Sequence, residues 1–384
     1  MTRWPFAALA AAFACGAAPA LADLAVTAND SHSVNVNGAV TAAKNPKPDT
    51  VSVIDVGQYP PKVVATVEAP TSVVGAPTSI WISPDESWVI VTAATKIDPA
   101  DPDKIVDDDR VSVIDLKASP PKVVQQVAAG AGANEISVSP DGTLALVTNR
   151  AEGTLSVFTV ADKRLTAVGK VDLGNPKSMP SSVKFLHGGK TALVSRYGDN
   201  QVGVLHLDGT KVTVDERKIV TGVSPYTLDI NGDGTLAAVA NMGGGGNGDI
   251  DVVSLIDLTQ NPLRAVEAYA PGISPEGLKF SPDGKFLAAA CIEGSTRPGN
   301  SPFYHDHGRL VLLAVEGKKL RPVAEAPIGR WSQGIAFSRD GKTALVGSMI
   351  DRGLDVFRWE DGKLTAGAVL GVDSGPAAIR TSWP

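Results

Sequence analysis

The residues best suited to chemistry sit together in Pro302-Phe-Tyr-His-Asp-His-Gly308. In extended chain His305 and His307 point the same way, so two imidazoles could share one divalent metal. His32, Asp306 or Glu276 would have to complete the ligand set. A lone H-x-H is common, and neither a cysteine nor a motif-defined third ligand accompanies this one. Hydrogen bonding within the loop is therefore the simpler reading. The same groups define a catalytic alternative: Glu276, His305 or His307 would activate water, with or without a metal, while Arg150 or Arg196 holds an anionic substrate.

Other chemical-looking stretches carry less. Asp98 to Arg110 holds six aspartates; carboxylates can gather calcium, but clustered charge on a loop is usually solvated. Asp229-Ile-Asn-Gly-Asp-Gly-Thr235 imitates the start of an EF-hand loop, yet its twelfth position is Ala240 and no helix flanks it. Gly243 to Gly248 lacks the Lys-Ser/Thr and following helix of a phosphate loop and reads as a flexible lip. With only five histidines among many serines, spacing singles out no Ser-His-Asp set.

Composition narrows the class. The chain has 384 residues, 43% hydrophobic and 20% charged, which is globular. A net charge of −6 with pI near 5.4 argues against non-specific nucleic-acid binding. Arg3, the short apolar run Ala7–Ala14 and Ala20-Leu21-Ala22 before Asp23 read as a secretory leader cleaved after Ala22. Acylation at Cys15 fits less well, because Ala12-Phe13-Ala14 is a poor approach to such a site. The mature chain keeps one thiol, Cys291, which closes a small apolar strand and should be buried and inert. No later stretch is long enough to span a bilayer as a helix. The expectation is a soluble monomer in the periplasm or outside the cell.

A repeat must position these groups. Ile273 to Cys291 contains a short strand, the turn Ser281-Pro282-Asp283-Gly284 and a strand of small residues. Pro presets φ in such a turn, Asp bonds locally and Gly suits the fourth position. Counterparts occur at Ser83–Glu86, Ser139–Gly142, Leu186–Gly189, Asn231–Gly234 and Ser338–Gly341. Third strands follow, most clearly Val51–Asp55, Val111–Asp115 and Val253–Asp257, and then more polar fourth strands such as those from Lys62 and Lys122. The period of roughly 45 to 57 residues suits four-stranded propeller blades. Gly375–Pro384 is a first strand without its turn, and Leu24–Asn29 looks like a second strand without its first. Joined, the ends complete a seven-bladed β-propeller over residues 23–384, closed by one C-terminal and three N-terminal strands.

Pro275–Gly284, Ala145-Leu-Val-Thr-Asn149 and Val111–Asp115 resemble the repeat of YVTN-type β-propellers, a group that includes surface-layer-like and periplasmic proteins and is related to lactonase-like propellers. The resemblance covers essentially the whole mature chain. It implies the fold and leaves activity open, because propellers host binding modules and several chemistries.

Within that fold the first-to-second-strand turns occupy one face, and every long insertion falls on the other. Function is therefore expected at the loop-rich mouth of the central channel. First-strand entrances should ring it with Thr78, Asn134, Ser181, Tyr226, Glu276, Gln333 and Ala377, beside Trp331; second-strand exits add Asn29, Asp30, Arg150, Arg196 and Tyr197. This mixture suits a small molecule or a partner protein. Non-catalytic binding is the first expectation, a lactonase-like hydrolase or isomerase the second, and an accessory subunit of a periplasmic redox enzyme the third. No C-x-x-C-H haem motif is present, so any redox cofactor would belong to the partner.

Overall fold

Each Ser-Pro-Asp-Gly turn closes on itself before it joins anything else. In Ser139–Gly142 the Gly142 N–H donates to the Ser139 carbonyl at 2.8 Å, and Gly142 takes φ +73°. The Ser139 hydroxyl donates to Asp141 at 2.5 Å and accepts the Leu144 N–H at 3.0 Å. Ser281 and Ser338 repeat the pattern with Asp283 and Asp340. The turn thus satisfies its own polar groups and fixes the register of the two strands it joins.

The computed structural model describes residues 23–245 and 247–383. The leader assigned to residues 1–22 lies outside the described residues. Seven four-stranded antiparallel sheets follow one another around an axis, the last carrying one extra short strand, Leu370–Gly371. The first contains Gly375–Thr381, Leu24–Asp30, Thr50–Asp55 and Lys62–Glu68 in that order, so the two ends of the chain share one sheet as expected. Ala25 lies opposite Thr381 and Thr27 opposite Ile379. The innermost strands of the other blades are Ile80–Ile82, Ala133–Val138, Pro180–Phe185, Pro225–Ile230, Pro275–Phe280 and Ser332–Phe337.

Packing follows from strand alternation. Second and third strands carry small and β-branched residues on both faces, so each blade is apolar on both sides. Seven separate apolar clusters result, each drawn from two adjacent blades. Ala25, Ile54, Ala336, Leu345, Leu354 and Ile379 form the one at the closing seam. Two insertions on the loop-rich face are not plain loops. Ser33–Val36 pairs with Ala39–Ala42, and the aspartate-rich segment forms a hairpin of Thr95–Asp98 with Asp101–Asp107. Of its six aspartates Asp103 and Asp107 are exposed, Asp98, Asp101 and Asp109 are half-buried, and Asp108 is buried and holds Arg110.

If closure rests on this seam, Ile379→Ala should cost about 2–5 kcal/mol, the usual range for emptying a buried large aliphatic site. Urea unfolding would measure it, with a single transition retained.

Candidate functional site: the central channel

The residues expected at the loop-rich mouth do surround the channel, but they are covered. Thr78, Asn134, Ser181, Tyr226, Glu276, Gln333 and Ala377 are all at most 6% exposed. The cover is the connection from the first blade to the second. In place of a full innermost strand, Thr71 to Ser79 runs inward, and the strand itself is only Ile80–Ile82. Val73 and Val74 pack with Met242, Ile292, Trp331, Met349 and Ala377, which belong to four different blades. Gly75 has φ +109°, and a β-carbon there would lie 2.1 Å from Asn134 Oδ1, so only glycine can pass. The segment plugs this end.

Its anchor includes His32. The Val73 N–H donates to Asp30 at 2.8 Å and the Thr71 N–H to Asp49 at 3.2 Å. His32 Nδ1 lies 3.1 Å from Asp30 and 3.0 Å from Asp49, while Nε2 faces Thr95 at 3.3 Å. Burial alone would lower the His32 pKa, but the hydrogen bond to Asp49 and the charges of Asp30 and Asp49 outweigh it and hold the ring above its usual range. Among the described residues, Asp30, His32 and Asp49 are the group close enough to share a metal ion. A proton on Nδ1 between two carboxylates satisfies the same geometry.

His305 and His307 are not part of that group. They line a surface depression of about 460 Å³ with Glu293, Arg309 and Glu325. His305 Nδ1 contacts the Glu293 carbonyl at 2.7 Å and His307 Nδ1 contacts Asp306 at 2.7 Å. Each imidazole is thus tied through Nδ1 to its own surroundings.

Behind the plug, Glu276 is 3% exposed and burial pushes its carboxyl up to about 8, against the pull of Gln333 and Arg150. With its amide oriented to suit its neighbours, Gln333 accepts from Trp331 Nε1 and donates to the Ala377 carbonyl, both at 3.1 Å. Arg150 lies 4.7 Å from the Tyr197 ring and 5.5 Å from that of Tyr226. It also donates to the Met179 carbonyl at 3.2 Å, and it borders a smaller hollow of about 400 Å³ beside Val74. Arg196 is committed to Ser178, the Leu173 carbonyl and Asp199.

The other end of the channel is open. Behind the Ser-Pro-Asp-Gly turns lies a cavity of about 730 Å³ whose wall includes Trp81, Trp88, Phe185 and Trp383. Charged side chains of the innermost strands reach it. Lys184, Asp229 and Lys279 hold the fifth position of their strands, just before the last apolar residue, and Arg380 holds the matching place in the closing strand. Glu135, one strand away, receives Lys184 at 2.6 Å and Arg380 at 2.9 Å; Asp229 receives Lys279 at 3.3 Å and Arg380 at 3.5 Å. Burial and the neighbouring Arg380 push the Lys184 ammonium down to about 8. Burial would raise Asp229, but Lys279, Arg380 and Lys184 together hold it below the usual carboxylate range. The sequence singles out none of Glu135, Lys184, Lys279 and Arg380, and Asp229 draws notice only as the start of an EF-hand imitation. Their one signal was a charge inside strands otherwise built for burial, as in Lys279-Phe280 before its turn.

The closed ring of seven four-stranded blades is a seven-bladed β-propeller, a fold it shares with solved structures that include proteins assigned as lactonases. A Bacteroides fragilis protein assigned as a 6-phosphogluconolactonase superposes with TM-score 0.71 at 16% identity, covering 95% of this chain and 99% of that one. The Pseudomonas aeruginosa periplasmic gluconolactonase gives 0.67 at 20%, covering 93% and 99%. Hydrazine synthase of Kuenenia stuttgartiensis gives 0.61 at 19%, covering 81% and 91%. At such identities the likeness is one of fold. No protein-family model and no curated protein matches the chain.

Glu276 generates a prediction with a definite sign. Its folded pKa lies above its ordinary 4.5, so the neutral carboxyl contributes stability at low pH that is lost as pH rises to about 8. Urea unfolding of wild type and Glu276→Gln should therefore diverge with pH, the wild type losing more stability than the variant between those values.

Proposed function

We propose that this protein is a binding propeller that takes a small organic molecule into the cavity at the turn end of its channel, without catalysing its conversion. One observation carries the reading: a pit of about 730 Å³ whose wall mixes aliphatic residues with Trp81, Trp88, Phe185 and Trp383 and on which a few charged groups converge. Drug-sized ligands occupy cavities of roughly this volume and composition. The hollows described on the loop-rich face are smaller, at about 460 and about 400 Å³. We take the protein to act as a monomer in the periplasm; the leader-like residues 1–22 and the periplasmic P. aeruginosa neighbour support that location.

The gluconolactonase neighbours motivate the alternative, a lactonase-like hydrolase. Its chemistry would need an ionised base within reach of a bound substrate. Glu276, with its carboxyl pushed up to about 8 and only 3% exposed, is poorly placed to act so at neutral pH. The redox-accessory reading rests on no particular contact.

Two measurements test this. A panel of lactones and esters should show no turnover above background; turnover that disappears in Glu276→Gln would establish the alternative instead. In a thermal-shift screen of small molecules, true ligands should stabilise the protein by about 2.7 kcal/mol at a hundredfold excess over Kd. That stabilisation should be lost in Trp383→Ala, which removes part of the cavity wall.

A further inference from the structure

The charge arrangement in the cavity is unfinished. Lys184, Lys279 and Arg380 face only Glu135 and Asp229, so the cluster carries one positive charge more than it neutralises. Buried surplus charge is unfavourable unless something compensates it. Both carboxylates are also occupied by the backbone: Glu135 accepts the Val183 N–H at 2.9 Å and Asp229 the Phe280 N–H at 2.9 Å. Neither has much capacity left for a third cation.

Two donors have nothing to donate to. Arg380 Nε and Trp383 Nε1 are buried without a hydrogen-bond partner, and Arg380 is only 8% exposed. Orphaned buried N–H groups are rare and mark places where an acceptor belongs. Both residues line the cavity, and the Trp383 ring sits 5.1 Å from Lys279 Nζ. Around this cationic floor the lining includes the apolar Trp81, Ile82, Val138, Phe185 and Ile230, with Asp85 and Arg339 also on the wall.

We propose that the cavity selects a small organic monoanion, an aromatic or apolar body carrying one carboxylate, whose charge is received by Lys184, Lys279 and Arg380. This rests on the reading of the cavity as a binding site and adds the class of ligand. A single carboxylate balances the surplus of one and supplies acceptors for the orphaned N–H groups, while the body displaces water from the aromatic wall. Burial first and then Arg380 lower the Lys184 pKa, against the pull of Glu135 and Asp229, with Lys279 and His187 nearby.

Isothermal titration calorimetry of the purified protein with 2-naphthoate and its neutral amide, 2-naphthamide, tests the assignment. The expected result is carboxylate binding about tenfold or more tighter than the amide, in keeping with a charge-assisted contact in a desolvated site. The preference should shrink in Lys279→Gln. It should also fade between pH about 6.5 and about 9.5, as Lys184 loses its proton, with amide binding unchanged. If Lys279→Gln does not fold by circular dichroism, Trp383→Phe, which removes the indole N–H together with one ring of the wall, should weaken the carboxylate more than the amide. Equal affinity for the two probes would overturn the monoanion assignment and leave a general apolar binding cavity standing. Tighter binding of inorganic phosphate than of 2-naphthoate would overturn it too. Failure of both probes to bind would overturn the cavity reading itself.

Discussion

The backbone ladder between Gly375–Thr381 and Leu24–Asp30 determines what every other part of the molecule can be. Each blade is apolar on both faces and is stable only between two neighbours, so an unclosed row would expose two such faces and two strand edges. Closure removes them all at once. The seam is reinforced where the repeat departs from its own rule. At the fourth turn position, where most copies place a glycine, the second blade has Glu86 at φ +53°, an uncommon conformation for a side-chain-bearing residue. Its carboxylate accepts from the Leu24 N–H at 3.2 Å, at the start of one closing strand, and from the Ser382 hydroxyl at 2.8 Å, just past the end of the other. A locally poor residue is kept at a globally useful contact.

The same closure builds the cavity floor. Arg380 belongs to the closing strand, yet its guanidinium reaches Glu135 in one blade and Asp229 in another. Its partners are 245 and about 150 residues away in sequence, and only a completed ring brings them together. Lys184, Asp229 and Lys279 come from three successive blades and hold one level of the channel. The charge cluster is therefore a property of the ring and of no single blade.

That distinction explains how much could be read in the chain. Blade number, strand order and the split first blade were legible because they rest on local chemistry: Ser, Pro, Asp and Gly at fixed offsets, then small apolar strands. The ring of Thr78, Asn134, Ser181, Tyr226, Glu276, Gln333 and Ala377 was legible too, since equivalent repeat positions become equivalent positions around an axis. What lies over that ring was not. Ser72-Val73-Val74-Gly75-Ala76 has no pattern that distinguishes an inward turn from an ordinary connection, and its anchors Asp30 and Asp49 are distant in sequence. Lys184, Lys279 and Arg380 were hidden for a related reason: strand alternation assigns isolated charges to solvent, and nothing local announces a neighbour one or more blades away. His305 and His307 drew the eye because they are adjacent, but each imidazole is engaged by its own surroundings.

The plug at Val73 to Ala76 turns what would have been a through-pore into a blind well. Whatever such a well holds arrives and departs by one door, and the hairpins on the sealed side, Ser33–Ala42 and Thr95–Asp107, have no view of it. Those hairpins are consequently free to lengthen, shorten or acquire other surfaces while the contents of the well stay the same. On this scaffold, decoration and selectivity can evolve as independent traits.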